Sequence, residues 1–172
     1  GNDVFSYVPS TVDYLLLSHA HIDHSGRIPL LYKRGFRGKI FCTPPAKALA
    51  EILLLDSAFI HEQDAEWENK KRERKGLEPI EPLYRVQDAE KALTLFEAVD
   101  FGVHKTLFEG FRFRFLEAGH MLGAAITEMF IQEEERKVKL VYTGDLGNQG
   151  IPLMKEPETV EEADFLIMES TY

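Results

Sequence analysis

The sequence predicts an α/β fold: an α/β sandwich of sheet with helices outside. Three observations lead there. Apolar, strand-like runs alternate with helical segments, and four strand patterns then follow one another in the second half. The residues best suited to chemistry sit where apolar strands stop. At 172 residues and 44% hydrophobic, the chain is long enough to bury a core.

The elements are justified in chain order. Residues 12–18 form an apolar run that reads as a buried strand, followed by a polar turn at Ser25-Gly26 and a short helix over 26–33. Residues 39–43 are a second strand. Pro44-Pro45 suits the first turn of a helix, which the pattern carries to about Arg74, stopping at Gly76, with Leu49, Ile52, Leu53 and Phe59 on its core face. Residues 78–86 are a Pro-containing loop. Asp88 is placed to cap a helix over 89–96. Strands follow at 100–107, 112–117, 125–132 and 138–143, the last two joined by the charged turn Glu133-Glu134-Glu135-Arg136-Lys137. A final strand spans 165–168. No internal repeat or low-complexity linker is visible.

The most informative feature is His19-Ala20-His21-Ile22-Asp23-His24. Imidazole and carboxylate are the ligands of divalent zinc and similar ions. Side chains alternate along a strand, so His19 and His21 are expected to point the same way and grip one ion. Asp23 and His24, past the strand end, are expected to turn toward a second ion roughly 3.5–4 Å away. A polar turn with surface histidines is the bland alternative. Two further candidates recur at strand ends. His120 follows the alternating run 111–116 and is flanked by Gly119 and Gly123; Asp145 follows 138–142 and lies between Gly144 and Leu146-Gly147. Either alone is an ordinary turn residue. Together with the first cluster they suggest a metal site.

This set, His19-x-His21-x-Asp23-His24, then His120, then Asp145, resembles the metallo-β-lactamase superfamily. The tail Glu169-Ser170-Thr171-Tyr172 at a strand end resembles the first signature of its β-CASP branch, and residues 18–30 are similar to bacterial and archaeal relatives of the mRNA 3′-end cleavage endonuclease subunit, with RNase J-like chemistry. The resemblance implies an αββα sandwich, with residues 1–172 a first-half metallo-β-lactamase core and a β-CASP cap beginning at about 169–172. It implies two Zn2+ ions: one on His19, His21 and His120, the other on Asp23 and His24, with Asp145 bridging. Glu169 would not bind metal; it would orient a histidine of a later motif that protonates the leaving group. Two histidine motifs are expected downstream, so this piece alone is expected to be inactive or nearly so and to hold its second ion weakly.

The function expected is metal-dependent hydrolysis of RNA, with a shared water brought to a lower pKa by the two ions and Asp23 as proton acceptor. Single-stranded RNA is the expected partner, in the cytoplasm, with a homodimer through regions outside this chain as a further expectation. A small-molecule (thioester or lactone) hydrolase, a DNA nuclease of the same branch and a noncatalytic subunit stay open; the Glu169-Ser170-Thr171-Tyr172 tail argues against the first and the intact ligand set against the last. A net charge of −9 argues against broad duplex binding, although bound cations would restore positive charge where a phosphate sits. The basic run Lys70-Lys71-Arg72-Glu73-Arg74-Lys75 reads as a solvated helix end. Trp67 reads as core or cap contact rather than a base-stacking platform. His61 and His104 lie away from glycine-flanked strand ends and are set aside. The single cysteine, Cys42, reads as a small buried hydrophobe. No apolar run is long enough for a membrane span.

Overall fold

The computed structural model describes residues 4–150 and 152–170. Thr171 and Tyr172 of the signature tail, and part of the 169–172 boundary expected for a cap, lie outside the described residues. The chain is mixed α/β, as expected. After a 3-10 turn at Pro9–Thr11 come β1 (Tyr14–Leu16), α1 (Ile22–Ser25), α2 (Ile28–Lys33), β2 (Lys39–Cys42), α3 (Pro44–Arg74), α4 (Val86–Leu93), β3 (Phe96–Ala98), β4 (Lys105–Phe108), β5 (Phe111–Glu117), β6 (Ala125–Glu133), β7 (Arg136–Tyr142) and β8 (Phe165–Ile167). The strands form a three-stranded sheet in the order β1-β2-β3 and a five-stranded sheet in the order β4-β5-β6-β7-β8.

Two compact units divide the chain: Gly1–Leu15, His21–Ile40 and Leu49–Phe96 make one, and Leu16–Ala20, Phe41–Ala48 and Glu97–Tyr172 the other. The first is rich in helix. There α2 packs on α4, Lys33 donates to the Pro82 and Leu83 carbonyls, and the buried Tyr84 hydroxyl meets Ser57 Oγ at 2.8 Å. The helix α3 has the expected bounds but a different core face. Ala50, Leu54, Ala58 and Ala65 are buried, at the i, i+4, i+8, i+15 spacing of one helical stripe. Ile52 is 66% exposed and Phe59 55% exposed. The stripe is narrow and mostly alanine, so the bulky side chains that drew attention in the sequence fall beside it. Trp67 is exposed too, with the Lys71 ammonium over its ring; it is not a core residue.

The second unit holds the five-stranded sheet. On β5, Phe113 and Phe115 are buried with Phe41, Val99 and Ala125, while Arg112 and Arg114 take the other face, the period-2 pattern of a strand. Leu116, Ala118, Ala124, Ile126 and Val141 form a second cluster. The antiparallel register sets Arg114 opposite Glu128, and the fully buried Glu128 pairs with Arg114 and with Lys139 on β7, the latter at 2.6 Å. Strand β8 runs parallel to β7.

Several boundaries differ from the sequence reading. The first strand stops at Leu16, not Ser18. Helix α4 starts at Val86; Asp88 sits three residues in, its carboxylate accepting the Arg85 N–H at 2.9 Å, so it caps from inside the first turn. Phe96, read as the end of that helix, opens strand β3 (Phe96–Ala98). Backbone bonds tie its ends to β2: Ile40 N–H to Leu95 O at 3.0 Å and Val99 N–H to Cys42 O at 2.9 Å. Tertiary pairing overrides a helix-compatible local composition here. The strand expected over 100–107 is confined to 105–108, so His104 precedes it rather than lying within it.

Candidate metal centre

Three loops bring the site residues together: 17–21 after β1, 118–124 after β5 and 143–147 after β7. Each is fastened by backbone bonds. Leu17 N–H donates to Phe41 O at 2.9 Å, and Ala125 N–H to Ser18 O at 2.9 Å, which ties the first loop to the start of β6. Gly147 N–H donates to Ala118 O at 2.8 Å, joining the second loop to the third. That junction requires glycine: a Cβ on Gly147 would stand 1.8 Å from the Gly119 carbonyl oxygen. Gly144 is in the left-handed region (φ +54°), and a Cβ there would come within 2.8 Å of Ser18 Cβ. Small residues let the loops press together, and that brings distant side chains into reach.

His19, His21, His120 and Asp145 each offer one ligand atom, and these atoms lie within 4.8 Å of one another. His19 Nε2 is 3.8 Å and His120 Nε2 3.5 Å from Asp145 Oδ2. The His19 and His120 rings meet edge to face, their centroids 5.1 Å apart. His19 is fully buried and Asp145 is 4% exposed. Three imidazoles and a carboxylate are a donor set of the kind that holds a divalent transition ion. Four donors around one such ion at bonds of about 2.0–2.2 Å stand roughly 3.3–3.6 Å apart, so the distances to Asp145 fit with little movement.

Asp23 and His24 are not part of this group. They lie on α1, the single turn opening right after His21, whose carbonyl accepts the Ser25 N–H at 2.8 Å and Ser25 Oγ at 2.9 Å. The Asp23 side chain is 69% exposed, with its Oδ2 3.6 Å from His24 Nε2. The expectation that strand alternation aligns His19 with His21 needs correction. Strand β1 has ended at Leu16, and both histidines belong to the irregular segment before α1. They converge because the loop is pinned at Leu17 and Ser18, not because of a pleat.

Glu169, just past β8, is half-buried. Its Oε1 accepts from the Tyr142 hydroxyl at 2.6 Å, and its N–H approaches Thr143 Oγ1 at 3.4 Å. Sequence reasoning passed over two residues that touch the site. Ser18 Oγ lies 3.1 Å from His19 Nδ1. The Tyr142 hydroxyl donates to Glu169, and burial, followed by the Glu169 carboxylate, pushes its phenol well above the usual range. The available signal was positional: each immediately precedes a glycine- or histidine-bearing loop. Glu117 also went unremarked. It is buried below the His120 loop, its carboxylate accepting the Gly119 N–H at 3.4 Å, and burial raises its pKa.

The residues set aside stay outside the group. His61 packs edge-on against Tyr84, and His104 packs against Phe130. Cys42 is fully buried, and burial pushes its thiol up to about 12. The basic run ends α3 as a solvated helix terminus, with Lys70 bridging to Glu66 and Arg72 donating to Glu78 O. No helix among the described residues is long and apolar enough to cross a membrane.

The metallo-beta-lactamase superfamily domain matches residues 3–149. The chain belongs to the metallo-β-lactamase superfamily. Among curated relatives it is 32% identical to Ribonuclease TTHA0252 of Thermus thermophilus, over 98% of this chain and 34% of that protein. It is 30% identical to Transcription termination factor FttA of Methanothermobacter thermautotrophicus, over 99% of this chain and 24% of that protein. With Endoribonuclease ysh1 of Schizosaccharomyces pombe it is 36% identical, over 95% and 19%. These relatives fall in the β-CASP branch. The chain spans about a third or less of their lengths. Among solved structures, the native FEZ-1 metallo-beta-lactamase from Legionella gormanii matches with a TM-score of 0.49 at 18% identity, over 84% of this chain and 47% of that one.

Proposed function

We propose that this chain is the metal-binding core of a β-CASP ribonuclease that hydrolyses phosphodiester bonds in single-stranded RNA. The observation that carries the reading is the convergence of His19, His21, His120 and Asp145 within 4.8 Å. In this superfamily such donors hold zinc, and the relatives named as ribonucleases and as an endoribonuclease favour RNA over a small-molecule ester. A bound divalent ion would lower the pKa of water toward neutrality and draw charge from a phosphoryl oxygen.

The chain's own residues do the rest. His19, His21 and His120 present ring nitrogens and Asp145 a carboxylate oxygen, all from loops that backbone bonds hold rigid before any ion arrives. Asp145, adjoining two of these rings, is the residue suited to face a second ion. Asp23 and His24 are the further donors for that second ion, and the exposed Asp23 carboxylate is free to take up a proton at Oδ after attack. The cytoplasm is the compartment that fits an RNA substrate.

The test is direct. The protein is incubated with labelled single-stranded RNA and DNA, with and without chelator, and in the wild-type, His21→Ala and Asp145→Ala forms, within the longer protein where one carries this core. RNA cleavage lost in the chelator and in both variants supports the reading. Cleavage that persists in chelator overturns it.

A further inference from the structure

We propose that one face of the five-stranded sheet, built on Arg112, Phe130, Lys137 and Lys139, is a second binding site for single-stranded RNA, which anchors the strand away from the metal centre. The inference rests on the ribonuclease reading for the choice of RNA as the polyanion. Register places the site. Arg112 on β5 pairs with Phe130 on β6, and Phe130 with Lys139 on β7, so the three stand in one row on one face of the sheet. Gln132 and Lys137 form a neighbouring row. The exposed Arg112 guanidinium lies over the Phe130 ring, 5.0 Å from its centroid, with the Lys139 ammonium at 5.7 Å and the exposed His104 ring at 5.3 Å. Arg112, Phe130, Gln132, Lys137 and Lys139 line a depression of about 440 Å³.

Charge decides what fits. Arg112, Arg114, Lys137 and Lys139 share this face with two carboxylates, Glu128 and Asp164. Glu128 is held between Arg114 and Lys139, and Asp164 accepts the Lys139 N–H at 2.7 Å. Among the described residues, Arg112 and Lys137 have no carboxylate partner. The face therefore keeps a surplus of cations in a chain whose net charge is −9. The same surplus acts on His104: burial, then the charges of Arg112 and Arg114, lower its pKa, and the opposing Glu128 carboxylate does not cancel them. The β6–β7 turn, with Glu134 and Glu135, bounds the strip at one end and keeps it short. Cationic side chains follow a phosphate backbone, and an aromatic ring or a guanidinium plane gives unpaired bases a stacking surface. A duplex has little use for a strip of three strands, about 10 Å across, and hides the faces of its bases. Strand β5 runs from Arg112 to Glu117, roughly 17 Å of extended chain, with His120 beyond it, so an RNA must be long enough to reach both the anchor and the metal centre.

Fluorescence anisotropy with a labelled oligouridine of about 20 nucleotides, longer than typical single-strand site sizes, reads the anchor directly. It is recorded in chelator so that no strand is cut, within the longer protein where one carries this core. Replacing two exposed cations together, Arg112→Gln with Lys137→Gln, is expected to weaken binding about tenfold and to lower the salt slope by about 1.4, near 0.7 for each lost phosphate contact. Phe130→Leu keeps an apolar side chain at a half-buried position but removes the stacking ring, and is expected to cost about fivefold with the salt slope unchanged. Arg74→Gln with Lys75→Gln makes the same charge change on the exposed end of α3 and is expected to leave binding within about twofold. With metal restored, the Arg112 and Lys137 double variant is expected to raise KM for the long strand, and to leave kcat and the cleavage of an oligomer of about 4 nucleotides unchanged. Equal losses in the two double variants, or displacement of the RNA by polyglutamate as readily as by unlabelled RNA, overturn the site. Unchanged binding in the Arg112 and Lys137 variant, with chelator-sensitive RNA cleavage intact, overturns the site and leaves the ribonuclease reading standing. Weakened binding in that variant, with no chelator-sensitive cleavage in any form, keeps the site and removes the ribonuclease reading.

Discussion

Of the carboxylates buried in the five-stranded half of the chain, Glu128 and Asp145 have opposite surroundings. Glu128, on β6, is 1% exposed and lies between the guanidinium of Arg114 and the ammonium of Lys139. Asp145, three residues past the end of β7, is 4% exposed and lies against the imidazoles of His19 and His120. Glu128 has permanent cations supplied by its neighbours on the sheet. Asp145 lies instead among imidazoles, which with it make up the donor set of a divalent ion. A buried charge is costly unless paired. The surroundings of the first residue suit a structural ion pair and those of the second suit a ligand, and the two are expected to answer differently to mutation.

The strongest way to break this contrast is Asp145→Asn. It should weaken Zn2+ binding by more than 100-fold, on the order of 3 kcal/mol, while the metal-free protein unfolds in urea with unchanged or slightly higher stability. Chelator competition and urea titration read the two sides. Glu128→Gln should do the reverse. Two cations lose their partner, and because both are partly exposed the cost is discounted to about 2 kcal/mol from the larger loss typical of fully buried pairs. Zn2+ affinity should not change. The pH dependence sharpens the same point. Burial alone would raise the Glu128 pKa, but the bonds from Arg114 and Lys139 and their charges outweigh it and the pKa is lowered. A carboxyl whose folded pKa is depressed binds fewer protons folded than unfolded near that pKa. Its stabilisation is thus complete above the unfolded value and is lost as pH falls through the folded one. Urea midpoints should drop with acid below about pH 4.5, and Glu128→Gln should flatten that drop. Asp23→Asn is the smallest effect: its carboxylate is largely exposed and outside the four-donor group, so the tighter Zn2+ site should change by less than about threefold, well below the effect of removing a donor.

Much of the site was legible in the sequence because its donors are chemically distinctive and sit at strand ends beside glycine. His19 and His21 stand out in a run of histidines and an aspartate, and His120 and Asp145 in glycine-flanked turns; the structure brings ligand atoms of all four within 4.8 Å. What failed was the reason given for the first pair: alternation was invoked for residues that turned out to follow a three-residue strand. Asp23 and His24, expected to serve a second ion, lie on the short α1 turn outside the four-donor group. Strand β3 was missed because Phe96–Ala98 carries no turn residue before it and its partners lie more than fifty residues away on β2. On α3 the eye went to Ile52 and Phe59, whereas Ala50, Leu54, Ala58 and Ala65 line the buried side. Alanine carries too little hydrophobic signal to mark a face. Ser18 and Tyr142 left only a positional trace, each preceding residues of a glycine- or histidine-bearing loop, since a hydroxyl gains a role only from what lies about 3 Å away.

Calorimetric titration of Zn2+ into the metal-free protein, its Asp23→Asn form and its His120→Ala form tests the central claim most directly. One tight site is predicted in the wild type, retained in Asp23→Asn and lost in His120→Ala. Two equally tight sites in the wild type, or a tight site that survives in His120→Ala, would contradict it.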